Sequence, residues 1–210
     1  FPAQKIIVGI DEAGRGPLAG PVIAAAFVIL NTRYKILDTS KLRDSKALSS
    51  IQRERIYSEL RKSPLAEWGI GIVSEKVIDK INILQATRLA MKKAVLSLVS
   101  KLRDREQEVP VTMIDSLIID GNMLLDLPIS QKAVIKADAT IFLCMAASII
   151  AKVTRDRLML KLHKKYPLYG FDRHKGYGTR LHFAMLKKHG PCPIHRLSFA
   201  PCSEYKAMLK

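Results

Sequence analysis

IIVGIDEAGRGPLAGPV, residues 6–22, opens on a short β-branched run, Ile6-Ile7-Val8, that reads as a buried strand. Two adjacent acids, Asp11 and Glu12, stand at its end, and a turn built on Gly14, Arg15 and Gly16 follows. A buried unpaired carboxylate is costly and needs a partner or a metal. Glycines let backbone approach a ligand closely, and the arginine between them offers a planar fork suited to phosphate. Acids for a cation beside a Gly-Arg-Gly turn for a polyanion point to metal-assisted phosphate chemistry. The plain alternative is a strand-turn-strand whose acids cap a helix or pair with lysines. Side chains alternate along a regular strand. Asp11 and Glu12 therefore share one metal site only if the strand breaks there or one acts through its carbonyl.

Val22–Leu30 is a second strand, apolar enough for burial on both faces and expected to pair antiparallel with the first. Ser49 and Gln52 form a capping box for a helix to about Lys62, ended by Pro64. Ala66–Val73 is a third strand, alternating Trp68, Ile70 and Ile72. Ser74 caps a short helix, and Ile83–Leu102 carries one apolar stripe of core packing. The run ending LIIDGN delivers Asp120 to a strand end beside a glycine, where ligands gather in open α/β sheets. AVIKAD, ending in Asp138, repeats that pattern before a long helix from Thr140 to about Lys165. Ser148, Lys152 and Arg155 share one face of it, suited to a phosphate backbone. Asp156 competes with Asp138 as a further site acid, but Arg155 and Arg157 flank it, so it reads more simply as their ion-pair partner. Glycines on both sides of Tyr177 leave its ring open to a ligand, or make it a half-buried loop residue.

Composition narrows the partners. Lys and Arg number 35 against 19 acids, a net charge of +16. From Lys152 to Gly190 there are eleven Lys or Arg and two acids, the footprint of a nucleic-acid binder. The longest apolar run, Ile141–Ala151, is too short to span a membrane, and no signal peptide is read. Three cysteines without a CxxC pair suggest a reducing, cytoplasmic setting. His189, Cys192, His195 and Cys202 match no standard zinc spacing.

GIDEAGRGPLAGPV, with Asp44-Ser45-Lys46, IDG, KADA, AASIIAKVTRD and HKGYGT in order, resembles bacterial ribonuclease HII over nearly the whole chain. The resemblance implies an α/β ribonuclease H-like fold: a mixed central sheet flanked by helices, with a small C-terminal helical portion. It divides the chain into a catalytic core, 1–165, and a substrate-binding segment, 166–210, packed on it. It makes Asp11, Glu12, Asp120 and Asp138 the catalytic, metal-holding acids, with Asp11 bridging two Mn²⁺ or Mg²⁺ ions. It gives Lys46, Ser148, Lys152 and Arg155 to substrate phosphate, and the reading of a 2′-hydroxyl to backbone groups of Gly14, Arg15 and Gly16. Tyr177 would pack on the nucleotide at the RNA-to-DNA junction. The implied activity is endonucleolytic hydrolysis of RNA in RNA–DNA hybrids and at single ribonucleotides in duplex DNA, leaving 3′-hydroxyl and 5′-phosphate ends. No covalent intermediate is needed, and His174 is the one histidine placed as a proton donor. A start at the first catalytic strand argues against the type HIII relatives. A monomer is expected, and the last residues show no clear sliding-clamp motif. A non-catalytic basic module of the same fold, or a metal-dependent phosphatase or DNA nuclease, are the competing readings.

Overall fold

A computed structural model describes residues 5–30, 48–105 and 114–209. Five strands form one mixed sheet in the order β3-β2-β1-β4-β5. β1 (Ile7–Ala13) pairs antiparallel with β2 (Val22–Ile29), and β2 antiparallel with β3 (Ala66–Val73). On the other side β4 (Ser116–Asp120) runs parallel to β1, and β5 (Ser130–Val134) parallel to β4. This is the mixed α/β sheet that the resemblance implies.

Alternation along β1 assigns its faces. Val8 and Ile10 join a core with Ala24, Ala26 and Val28 under α2 (Glu75–Arg105). Gly9 turns to the other face, where an added Cβ would lie 2.3 Å from the Leu143 carbonyl carbon. That face is covered by α4 (Phe142–Lys165), whose Ala146, Ala147, Ile149 and Ile150 pack with Ala25 and Phe27, and by α1 (Ser50–Lys62). The capping box at Ser49 and Gln52 is formed in full. α2 contains a break at Asn82, whose side chain accepts from the Gln85 N–H and so caps the second stretch.

Several expected boundaries move. β1 does not stop at Ile10 but continues in register through both acids, with Asp11 opposite Ala25 and Glu12 opposite Ala24. β3 keeps its expected bounds and packs on both faces: Trp68 and Ile70 lie half-buried against the α1 and α4 side while Ile72 is exposed, and Gly69 and Gly71 face α2. Added Cβ atoms there would sit 2.0 and 1.9 Å from the α2 carbonyl oxygens of Ala94 and Ala90. Hydrophobic alternation finds this strand but not its approach to α2, because glycine carries no hydropathy signal while permitting the closest helix contact. Asp138 is not at a strand end either: β5 stops at Val134, and Asp138 lies in a separate one-turn helix, α3 (Ala137–Thr140).

The C-terminal elements are a 3₁₀ turn (Pro167–Tyr169), α5 (Phe171–His174), α6 (Arg180–His189) and a 3₁₀ helix (Cys202–Leu209). Ladder-like bonds stitch them to the loop after β1. Leu18 N–H donates to Gly176 O, Gly20 N–H to Ile194 O, and Arg196 N–H to Leu18 O, each at 2.8 Å.

Candidate active site

Three carboxylates converge where β1, β4 and α3 meet. Single oxygens of Asp11, Asp120 and Asp138 lie within 4.8 Å of one another. The parallel β1–β4 pairing, with Ile10 opposite Ile119, brings Asp11 within β1 beside Asp120 at the end of β4, and α3 presents Asp138, whose N–H donates to Asp120 Oδ1 at 3.3 Å. Burial pushes Asp11 well above the usual carboxylate range, and the charges of Glu12 and Asp120 add to this, while a hydrogen bond with Ser148 opposes it.

Glu12 stands outside that trio. Because β1 does not break, its side chain leaves the strand in another direction from that of Asp11. Its Oε1 lies 3.3 Å from Arg15 Nη1, and its Oε2 is buried with no hydrogen-bond partner among the described residues. Burial raises its pKa, and Arg15 works against that rise. An all-oxygen set of crowded, desolvated carboxylates suits a hard divalent cation, whose charge would offset their repulsion. Mn²⁺ or Mg²⁺ fits this chemistry.

Beside the acids runs a groove of about 360 Å³ lined by Glu12, Gly14, Arg15, Gly16, Arg53, Ser148, Lys152 and Tyr177, among others. Tyr177 is 43% exposed, and its Cε1 would lie 3.9 Å from a Cβ on Gly16, so the ring overhangs the turn. Lys152 Nζ lies 5.8 Å from the ring centroid. A second groove of about 680 Å³ continues past Tyr177 and adds Arg157, Arg173 and Lys175. Arg53 lines both grooves and carried no motif; its only signal was a place one turn inside the capped helix. Lys46 lies outside the described residues.

Other expectations need correction. Arg155 does not face a phosphate: it is fully buried, and its guanidinium donates to the carbonyls of Ala19, Pro21 and Lys175. Asp156 pairs with Lys152 at 2.7 Å instead of its sequence neighbours, since a helix brings together residues four apart. Arg157 pairs with Glu54 of α1. His174 is no free proton donor. Gly176 N–H donates to its Nδ1, so the ring proton is on Nε2 and goes to Tyr169 O at 2.8 Å. Burial lowers its pKa further. Among the described residues no histidine or cysteine joins a metal cluster. Cys144, against the acids, has its thiol pushed up to about 12 and stays protonated.

A family model described as Ribonuclease HII matches residues 8–202. The chain belongs to the ribonuclease HII family. It is 50% identical over 195 residues to the ribonuclease HII of Acetivibrio thermocellus, covering 93% of this chain and 70% of that one. Ribonuclease H2 from Pyrococcus horikoshii OT3 superposes with a TM-score of 0.69 at 28% identity, over 97% of this chain and 98% of its own. Bst-RNase HIII in complex with Mn²⁺ shares the fold alone, at 19% identity and a TM-score of 0.70, over 98% of this chain and 70% of that one. Ribonuclease HII membership makes the chain a metal-dependent endoribonuclease.

Proposed function

We propose that the chain hydrolyses the RNA strand of RNA–DNA hybrids and cuts at single ribonucleotides embedded in duplex DNA, leaving 3′-hydroxyl and 5′-phosphate ends. The observation that carries this reading is the trio Asp11, Asp120 and Asp138 opening beside a basic groove that holds the Gly14–Gly16 turn and Tyr177. Asp11, Asp120 and Asp138, with Glu12 at their margin, would hold two divalent cations. When bound, such cations supply a nucleophilic water at neutral pH and stabilise the departing oxygen.

The chain's own groups do the rest. Ser148 orients the Asp11 carboxyl by hydrogen bonding. Glu12 and Arg15 hold each other at the turn, with Arg15 half exposed toward the groove. Lys152 and Arg53 line the same groove and place positive charge along a phosphate track; Lys46 is given a phosphate contact by the family resemblance alone. The Tyr177 ring, over Gly16, stacks on the sugar or base next to the cut and so senses the RNA-to-DNA junction. Segment 166–210 serves the substrate by carrying Tyr177 and by stitching the turn in place, while 1–165 carries the acids.

The test uses duplex DNA containing one ribonucleotide, incubated with Mn²⁺, with Mg²⁺ and with chelator. Metal-dependent incision on the 5′ side of that ribonucleotide, with all-DNA duplex intact, is expected. Asp11→Asn is expected to lose at least about 10³-fold in rate while still binding the duplex. Cutting of all-DNA duplex, or unchanged turnover in the variant, would overturn the reading.

A further inference from the structure

Two arginines, Arg155 and Arg196, are fully buried beneath the turn after β1. Neither makes an ion pair among the described residues. All six of their bonds go to backbone carbonyls. Arg196 donates from Nη2 to Gly14 O at 2.6 Å, from Nη1 to Arg15 O at 2.8 Å and from Nε to Gly20 O at 2.9 Å. Arg155 donates from Nε to Pro21 O at 3.1 Å, from Nη2 to Ala19 O at 3.1 Å and from Nη1 to Lys175 O at 2.9 Å. Burying a guanidinium without a counter-charge is costly, and an apolar side chain of similar length would fill the same space. What an apolar side chain cannot do is hold carbonyls.

The two peptide planes that Arg196 holds through the carbonyls of Gly14 and Arg15 matter most. A trans peptide points its C=O and its N–H in opposite directions. With Gly14 O and Arg15 O drawn inward to Arg196, the N–H groups of Arg15 and Gly16 are turned away from the core, toward the groove that this turn lines. No described residue accepts from either amide. Gly14 adopts φ +99°, and a Cβ there would lie 2.1 Å from Arg155 Nε, so the turn is shaped around the buried guanidinia.

We infer that Arg196, supported by Arg155, is a positioning residue for ribose recognition: it aims the Arg15 and Gly16 N–H groups into the groove as paired donors for a 2′-hydroxyl oxygen. The inference rests on the proposed function for the identity of that oxygen. Lysine cannot replace the fork, since three carbonyls are met by three nitrogens of one rigid plane.

The experiment measures, without metal, the affinities of the protein for duplex DNA with and without a single ribonucleotide, and takes their ratio. Wild type is expected to prefer the ribonucleotide. Arg196→Met should reduce that preference by about tenfold, the worth of one lost hydrogen bond, while affinity for all-DNA duplex stays within about twofold. Arg196→Lys, which keeps the charge and supports folding if the methionine variant fails, should move the ratio in the same direction. Leu98→Ala, a core truncation under the opposite face of the sheet, shows what lost stability alone does and should leave the ratio unchanged. An unchanged ratio in the Arg196 variants, an equal fall for both duplexes (phosphate contact instead of hydroxyl), or no preference in wild type would overturn the inference. Incision by wild type in Mn²⁺, scored separately, tests the proposed function by itself.

Discussion

Asp11 shows how a single residue carries two opposed demands. Its burial and its acidic neighbours disfavour the charge that a cation needs. Removing one charge from the trio should therefore raise the melting temperature of the metal-free protein. Asp11→Asn is expected to melt above wild type in chelator, and calorimetry reads this directly. Wild type should gain about 2.7 kcal/mol from Mn²⁺ at a hundred times its Kd, and the variant much less. A lower melting point for the variant in chelator would show that the carboxylate is held by donors that outweigh the repulsion. The adjacency of Asp11 and Glu12 was plain in the sequence, but their division of labour was not. Whether β1 broke after Ile10 depended on how far its register with β2 ran, which the local pattern of residues does not encode.

At the scale of elements, β3 and α2 pack through glycine. Gly69→Ala or Gly71→Ala would push a methyl into α2 backbone, which cannot yield as a flexible side chain would. Each should cost about 3 kcal/mol, read as a lowered urea midpoint with unchanged slope. The C-terminal elements hold a chain of neutral histidines instead. Cys192 N–H donates to His195 Nδ1, which leaves the proton of that ring on Nε2. That proton goes to His182 Nε2 at 3.0 Å, and His182 Nδ1–H donates to Tyr177 O at 2.9 Å. Burial lowers both His182 and His195 to about 4. The unfolded rings take up protons near pH 6.5 and the folded ones only near 4, so the unfolded state binds more protons in between. Stability should thus be level above pH 6.5 and fall as pH drops toward 4, by up to about 1.4 kcal/mol per unit for each ring. Urea unfolding across that range checks it, and His195→Gln should flatten the slope. Spacing alone did not suggest this chain, because the partners are carbonyls and amides brought in by the fold.

For the whole molecule the charge of +16 matters through where it sits. Arg15, Arg53, Lys152, Arg157, Arg173 and Lys175 line two grooves that meet at Tyr177. If about five of these neutralise phosphates, affinity for a hybrid should fall by roughly 10²–10³ between 50 and 200 mM salt. The effect should appear in KM, with kcat nearly constant, and charge reversal at Arg53 should reduce the salt slope by about one unit. A salt-independent KM would mean that the basic grooves do not follow the backbone of the substrate. The excess of basic residues from Lys152 to Gly190 was legible in the sequence; that α1 supplies Arg53 to the same grooves was not, since α1 precedes that region by a hundred residues.

Apart from the mixed α/β class, which followed from the family resemblance, the sequence by itself determined the three strands up to Val73, the main helices, the cap at Ser49, and the positions of Asp11, Asp120 and Asp138 near the ends of apolar runs. Those features are local: hydrophobic periodicity, capping side chains and turn residues act within a few positions. Tertiary structure alone decided which carboxylates face one another, that Arg155 and Arg196 lie beneath the Gly14–Gly16 turn, and that His182 and His195 brace Tyr177. The physical reason is that a buried charge or ring takes its partner from whatever backbone the fold brings within 3 Å, and backbone carbonyls and amides are the same in every residue. A sequence names the side chain of such a bond but not the peptide group at its other end.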